Sequence, residues 1–226
     1  MEVREEAAYA AARKGYINET VSLIDSGARD IDYMAIGAAE GGYRELLSLL
    51  TGETYQTLSS KFPGITQALQ SGATLDQLKN MPAFLDEYQE LPLDIPAEQA
   101  VKLDKIIRRR QHDAALQRQR AAFVPHYAND FDSIANAAAR HGHTDIVRTY
   151  LPDVRDINLL AYRAAEGGYE LLVMELVDQG ANELTYIAIG AAKHGYKSLV
   201  DKLEQKGSVN MDVVRQAAIR EGYINF

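Results

Sequence analysis

The stretch TYIAIGAAKHGYKSLVDKLEQKGS, residues 185–208, contains the pattern that decides the fold of this chain. Its first half places small or apolar residues on the buried faces of a short helix: Ile187, Ala188, Gly190, Ala191 and Ala192. Gly195 then ends that helix, because glycine adopts the left-handed backbone conformation without steric cost. An apolar stripe follows and predicts a second helix, formed by Leu199, Val200 and Leu203. The stretch therefore predicts a helix–turn–helix unit.

The turn of this unit recurs along the chain as a repeat marker, which consists of small residues, two variable positions, Gly, and then Tyr or His. The last residue of the marker is found six times: Tyr16, Tyr43, His143, Tyr169, Tyr196 and Tyr223. Markers are 27, 26, 27 and 27 residues apart within two arrays, which are separated by a step of 100 residues. A fixed period of this size is typical of stacked repeats.

We therefore predict an all-α solenoid of helix–turn–helix repeats with a helical insertion. Two units occupy residues 1–50, the insertion occupies 51–130, and three units with a partial fourth occupy 131–226. The helix pairs should span 5–26, 32–51, 132–152, 158–179 and 185–206, with a single first helix at 212–221. Six glycines should form the structural turns: Gly15, Gly42, Gly142, Gly168, Gly195 and Gly222. A positive φ is expected at three of them in particular, Gly42, Gly168 and Gly195.

The units resemble the second half of an ankyrin repeat. One unit matches that pattern at Ala138-Ala139, Gly142-His143, Asp145, Ile146-Val147 and Leu151. The period is shorter than the roughly 33 residues of that family, and the Thr-Pro-Leu-His start is missing. The resemblance, over about residues 5–50 and 131–226, implies paired helices without the protruding β-turn finger. It also implies a protein-binding role, as in ankyrin-like proteins of giant viruses and of intracellular bacteria that deliver proteins into host cells.

Composition and charge exclude several classes of protein. The formal net charge of −8 disfavours nucleic acid as the partner of the whole surface. The chain has no Cys, so disulfides and thiolate metal sites are excluded, and a reducing compartment is favoured. No apolar run reaches the length of a membrane span, and residues 1–6 do not resemble a secretion signal. We expect a cytoplasmic protein, delivered into a host cell if its source is an intracellular bacterium.

The insertion contains a basic segment that predicts a helix over about 97–123. Residues 102–120 carry seven basic and two acidic side chains. Five arginines form a candidate site for an acidic partner, a phosphate group or an anionic lipid: Arg108, Arg109, Arg110, Arg118 and Arg120. The alternative is a solvated helix that packs on the acidic array and neutralises it. The apolar content of the insertion predicts that its helices pack against both arrays.

Charged and aromatic positions near the turns predict contacts between units. The residues two positions before the turn glycine predict opposite-charge ladders, Arg13–Glu40 and Arg140–Glu166–Lys193. The marker tyrosines are interpreted as structural, with half-buried rings, because they follow the repeat phase. His141, His143 and His194 also follow that phase, and no third ligand for a metal is indicated.

No nucleophile, phosphate-binding loop or cofactor motif occurs, so we expect no enzyme activity, cofactor or metal. The main functional hypothesis is a non-catalytic protein–protein interaction module, the repeat domain of a larger effector or adaptor. Its candidate binding residues, on the exposed face of the first helices, are Tyr33, Tyr162 and Tyr186. One alternative is an adaptor that binds anionic lipid or phosphate through the basic helix. Another is the regulatory part of an enzyme whose catalytic domain follows Phe226, because the last unit ends after its first helix.

Overall fold

A computed structural model of the protein describes residues 3–82, 97–116 and 127–224. Every regular element in these ranges is helical, which confirms the prediction of an all-α chain. The chain divides into two compact units, Met1–Asn129 and Asp130–Phe226. Each unit is built from helix pairs, and we call the members of a pair the first helix and the second helix.

The N-terminal unit begins with two helix pairs. Their helices are α1 (Val3–Arg13), α2 (Ile17–Asp25), α3 (Ile31–Gly41) and α4 (Arg44–Leu50). Each first helix packs on its own second helix, and α1 also packs along α3. The contact surfaces of α1 and α3 are formed by small, fully buried residues such as Ala8, Ala12 and Ala38, which let the two helices approach closely.

The insertion adds α5 (Glu53–Lys61), α6 (Pro63–Gln70), the short α7 (Leu75–Leu78) and α8 (Ala97–Leu116). Pro63 lies in the first turn of α6, where its missing N–H removes no helical hydrogen bond. The long helix α8 packs against α2, α4, α5 and α6. Its buried side is mainly apolar, with Ala100, Val101, Leu103, Ile106 and Ile107, and also includes the carboxylate of Asp104.

The basic helix therefore begins where the sequence predicts it and packs on the N-terminal array. Its predicted end, residues 117–123, lies outside the described residues. Packing of the insertion against the C-terminal array stays a prediction.

Limited digestion with trypsin tests whether α8 is firmly folded. We expect slow cleavage after Lys102, Lys105 and Arg108, although all three are trypsin sites, because a protease needs an extended substrate and α8 would have to unwind. The fragments should be identified by mass spectrometry, with urea-unfolded protein as the control that is cut at once. Rapid cleavage between residues 102 and 110 of the folded protein would show that α8 is mobile.

The C-terminal unit contains three helix pairs and a further first helix. The pairs are α9 (Phe131–His141) with α10 (Thr144–Tyr150), α11 (Ile157–Glu166) with α12 (Glu170–Asp178), and α13 (Leu184–Ala192) with α14 (Lys197–Lys206), followed by α15 (Met211–Arg220). The first helices pack in succession, α9 on α11, α11 on α13, and α13 on α15. In both units the observed helices agree with the predicted spans to within about two residues.

The turns between paired helices have the expected backbone geometry. Gly42, Gly168 and Gly195 have φ angles of 77°, 76° and 76°, as predicted. The tyrosine of one marker covers the turn glycine of the preceding helix pair, so that a Cβ atom on that glycine would overlap the ring. The pairs are Gly15 with Tyr43, Gly142 with Tyr169, Gly168 with Tyr196, and Gly195 with Tyr223. The repeat phase of the tyrosines thus has a structural cause.

A second recurring contact is a hydrogen bond that holds the connections between consecutive helix pairs. At five of the six turn glycines, the side chain ten positions earlier accepts a hydrogen bond from a backbone N–H of the connection that leads to the next first helix. In the N-terminal unit, Glu5 accepts from Arg29 and Asp30, and Asp32 accepts from Asn129. In the C-terminal unit, Asp132 accepts from Arg155, Asn158 accepts from Asn182 and Glu183, and Thr185 accepts from Asn210. These bonds satisfy backbone N–H groups that lie outside the helices. The backbone bond from Arg155 lowers the pKa of the Asp132 carboxyl.

Candidate functional site

Two stacked pairs of tyrosines are the main feature of the first helices. Tyr9 on α1 stacks on Tyr33 of α3, with 4.3 Å between the ring centroids and 12° between the ring planes. Tyr162 on α11 stacks on Tyr186 of α13 in the same way, at 4.4 Å and 11°. We call them the N-terminal and the C-terminal tyrosine pair.

A glycine makes each stack possible. Gly37 lies on α3 one turn after Tyr33, and a Cβ atom there would lie 2.9 Å from both the carbonyl oxygen and the ring of Tyr9. Gly190 has the same role on α13, where a Cβ atom would lie 2.8 Å from the carbonyl oxygen of Tyr162. Without a side chain at these positions, consecutive first helices come close enough for their tyrosines to stack.

The two tyrosine pairs are copies of one arrangement within the chain. Tyr162, Tyr186 and Gly190 each lie 153 residues after their counterparts Tyr9, Tyr33 and Gly37. Our sequence reasoning did not select Tyr9 or the two glycines, because it followed the 27-residue period, in which these positions do not recur. An alignment of residues 9–43 with 162–196 is the signal that finds them.

The N-terminal pair is electrically neutral. The hydroxyl of Tyr9 donates to Oε2 of Glu40 at 2.5 Å, and Nε of Arg13 lies 3.3 Å from the same oxygen. This confirms the predicted Arg13–Glu40 pair. Burial of the ring, and then the bond to the Glu40 carboxylate, raises the pKa of Tyr9 to about 12, so the phenol stays protonated at neutral pH.

The C-terminal pair has a different charge. Nζ of Lys193 donates to the hydroxyl of Tyr162 at 2.9 Å, whereas Oε2 of Glu166 accepts from Nη1 of Arg163 at 2.7 Å. Among the described residues, neither Arg140 nor Lys193 lies within ion-pair distance of Glu166, so the predicted ladder Arg140–Glu166–Lys193 is wrong. The reason is local competition, since Arg163 reaches Glu166 from the same helix and Tyr162 attracts Lys193.

The candidate tyrosines differ in accessibility. Tyr186 is 36% exposed, and Tyr33 is partly exposed. Tyr162 is only 6% exposed, so the prediction that it lies on the exposed face is wrong. Its ring is covered by Tyr186 and lies against Gly190, and its hydroxyl is bonded to Lys193. Tyr162 therefore packs against the ring of Tyr186. The binding roles of these tyrosines stay predictions.

A shallow groove of about 410 Å³ borders Tyr186. Its apolar side is formed by Leu184, Tyr186 and Ile189 on α13. Its polar side is formed by Thr185 on α13 and by Asn182, Glu183 and Ser208 in the connections before α13 and after α14. Tyr186 of the C-terminal tyrosine pair is therefore part of the wall of a groove that is open to solvent.

Three arginines of the basic helix α8 are engaged within the N-terminal unit, Arg108 on α8 itself and Arg109 and Arg110 at the end of α2. Nε of Arg108 lies 2.7 Å from Oδ2 of Asp104, and Nη2 of Arg109 lies 3.0 Å from Oδ1 of Asp25. Arg110 donates to the carbonyl oxygens of Ile24 and Ala28 at the end of α2, the latter at 2.7 Å. These contacts favour the alternative of a helix that packs on, and neutralises, the acidic array. Arg118 and Arg120 lie outside the described residues.

Asp104 connects α8 to the last residues of the insertion. Its side chain is 3% exposed and accepts a second hydrogen bond, at 3.2 Å, from the hydroxyl of Tyr127. Burial, together with the negative charge of Asp104, raises the pKa of Tyr127. The carboxylate is thus held by a guanidinium and a phenol in a site with little access to water.

The sequence matches no known protein-family model, and no curated protein matches it either. The function has to be argued from the geometry of the chain itself. In the ranges that the structure describes, no three His, Asp or Glu side chains are grouped to hold a metal ion. No helix in those ranges is long and apolar enough to cross a membrane.

Proposed function

We propose that this chain is a non-catalytic protein–protein interaction module that binds its partner on the exposed face of the first helices. In this proposal the stacked helix pairs form a solenoid of ankyrin-like units, which serves as the repeat domain of a larger effector or adaptor in the cytoplasm. Solenoids of this kind have continuous surfaces that suit macromolecular partners.

The duplicated tyrosine pair is the observation that carries the proposal. Four marker tyrosines, Tyr43, Tyr169, Tyr196 and Tyr223, cover turn glycines, which explains why they recur. Tyr33 and Tyr186 have no such role, yet the same stack, with the same glycine, is found in both units. Tyrosine contributes strongly to protein interfaces, because a rigid ring supplies contact area at a low entropic cost and the hydroxyl supplies a hydrogen bond.

The partners of Arg108, Arg109 and Arg110 weigh against the anion-binding alternative, since an anion would have to displace Asp104, Asp25 or the carbonyl groups at the end of α2. A regulatory or substrate-recruiting part of an enzyme would use the same tyrosine face, and it differs from the main proposal only in what the module is joined to.

Selection from a phage-displayed library of random peptides tests the proposal. We expect the selected peptides to bind Tyr186→Ser or Tyr33→Ser at least about tenfold more weakly than the original protein, because a central aromatic side chain typically supplies more than 1 kcal/mol. They should stay bound at about 0.5 M salt, where purely ionic contacts are screened.

Tyr16→Ser is the matched control. Tyr16 is the most exposed of the marker tyrosines, at 53%, and belongs to neither tyrosine pair. Its replacement should leave binding unchanged. Selected peptides that bind all three variants equally well would contradict the proposal.

A further inference from the structure

The second helix α12 has an exposed apolar stripe on its outer side. Leu171 is 86% exposed, and Met174 and Val177, which follow it at three-residue steps, are partly exposed. Residues three apart are neighbours on a helix surface, so the three side chains form one stripe. A single exposed apolar side chain needs no explanation, but a contiguous group raises the question of what covers it. We call Leu171, Met174 and Val177 the α12 stripe.

The next second helix, α14, shows what a solvated outer side looks like in this chain. It follows α12 by one repeat period of 27 residues. The residues of α14 that correspond to the α12 stripe are all polar and exposed, and they are Ser198, Asp201 and Glu204. The apolar character of the α12 stripe is therefore not a general property of the repeat.

The counterpart of the α12 stripe in the N-terminal unit is covered by another helix. The tyrosine pairs show that the two units contain copies of one arrangement, 153 residues apart. The same offset relates the α12 stripe to Asn18, Val21 and Ile24 of α2. Helix α8 packs on α2, and the side chains of Val21 and Ile24 are fully buried. One copy of this surface thus has a helix on it, whereas the other copy is exposed.

Contacts at both ends of α2 define how α8 lies on it. Gln99 in the first turn of α8 donates to Asn18 in the first turn of α2, and Arg109 lies 3.0 Å from Asp25, the last residue of α2. The two helices therefore run in the same direction. Residues 99–109 of α8 form about three helical turns. Three turns of an amphipathic helix are thus enough to cover a surface of this kind.

The charged residues of α12 are paired within the C-terminal unit. The three carboxylates of this helix each form an ion pair with a basic side chain of α10 or α14: Glu170 with Lys202, Glu175 with Arg148, and Asp178 with Lys206. Net charge therefore does not select what binds here. Apolar contact and the shape of the stripe are the features that a ligand has to match.

We propose that the α12 stripe binds an amphipathic helix of a partner protein, in the position that α8 has on α2. The partner helix runs parallel to α12 over about three turns, and its apolar side chains at i, i+3 or i+4, and i+7 pack on Leu171, Met174 and Val177. This surface lies on a second helix, whereas the tyrosine pairs lie on first helices. It is therefore a second binding surface, and it does not depend on the proposed function.

Selection from a phage-displayed library of helical peptides tests the inference. The library is built on the sequence of residues 97–116, with the buried apolar positions of α8 varied, and the protein itself is the target. The affinity of each enriched peptide is then measured by fluorescence anisotropy. Leu171→Asp should weaken binding at least about tenfold, because the loss of a central contact residue typically has this effect. Met174→Glu should have a similar effect.

Ser198→Asp is the matched control. It introduces the same charge at the corresponding position of α14, which is also the second residue of its helix. Binding of the enriched peptides should be unchanged. Leu171 and Ser198 are both exposed, so neither substitution should shift the midpoint of urea unfolding, which separates a loss of binding from a loss of structure.

The possible outcomes identify the occupant of the α12 stripe. Enriched peptides that bind Leu171→Asp and Met174→Glu as tightly as the original protein would overturn the inference, as would a selection that enriches nothing. Self-association of the protein that is lost in Leu171→Asp would identify a second copy of this chain as the occupant and would overturn it too. Tyr186→Ser should leave the binding of these helical peptides unchanged, so this inference and the proposed function can fail separately.

Discussion

Replacing Gly195 with Val should lower the free energy of unfolding of the C-terminal unit by about 3 kcal/mol. Two costs add at this position. A φ of 76° places the residue in the left-handed region, where a side chain is strained by about 1–2 kcal/mol. In addition, a Cβ atom would lie 2.5 Å from the ring of Tyr223, and relief of such an overlap typically costs about 1–3 kcal/mol. Urea unfolding followed by circular dichroism measures the change.

Gly222→Val is the matched control, because it imposes the strain without the overlap. Gly222 has a φ of 95°, and a Cβ atom there would meet nothing within 4 Å. We expect it to cost about half as much as Gly195→Val. Removing the ring in the double variant Gly195→Val, Tyr223→Ala should recover part of the loss. Equal costs for the two glycine variants would mean that the tyrosine cover does not constrain the turn.

Replacing Asp104 with Ala should lower the free energy of unfolding of the N-terminal unit by about 2 kcal/mol. The change leaves the hydroxyl of the partly buried Tyr127 without its acceptor, which typically costs about 1–3 kcal/mol. Arg108 loses its ion pair as well, but its side chain is 65% exposed and can be solvated, so this loss adds little.

Asp113→Ala provides the comparison for Asp104→Ala. Asp113 is an exposed acidic residue on the same helix, and its replacement should change stability by less than about 0.5 kcal/mol. Asp104→Asn keeps an acceptor for Tyr127 and should be intermediate. If Asp104→Ala is as mild as Asp113→Ala, the carboxylate does not anchor α8.

The helix pairs could be predicted from the sequence because their signals are local. A glycine with positive φ, two alanines before it and an apolar stripe after it all lie within about one unit, and they fix both helices and the turn. The paired helices were therefore placed to within about two residues. The sequence did not predict that Tyr223 covers Gly195, because this contact joins two consecutive repeats. The period shows only that both residues recur.

The charged contacts could be predicted only in part. Arg13 and Glu40 face each other across neighbouring helices, and the predicted pair is present. Glu166 has Arg163 three positions before it on the same helix, and that closer partner prevails. Arg109 and Arg110 appeared free in the sequence, because Asp25 and the end of α2 lie more than 80 residues away along the chain.

The tyrosine cover also bears on how such a chain can change in length during evolution. Each of the four covered turns combines the glycine of one helix pair with the tyrosine of the next. The same two residue types therefore meet at neighbouring turns. Loss of residues 169–195 would join Gly168 directly to Tyr196 and bring Tyr223 to the place of Tyr196 as the cover of Gly168. Whole units can thus be deleted or duplicated by unequal recombination without the need for a new type of contact. The same rule makes a deletion of part of a repeat costly, because it would separate a glycine from its cover.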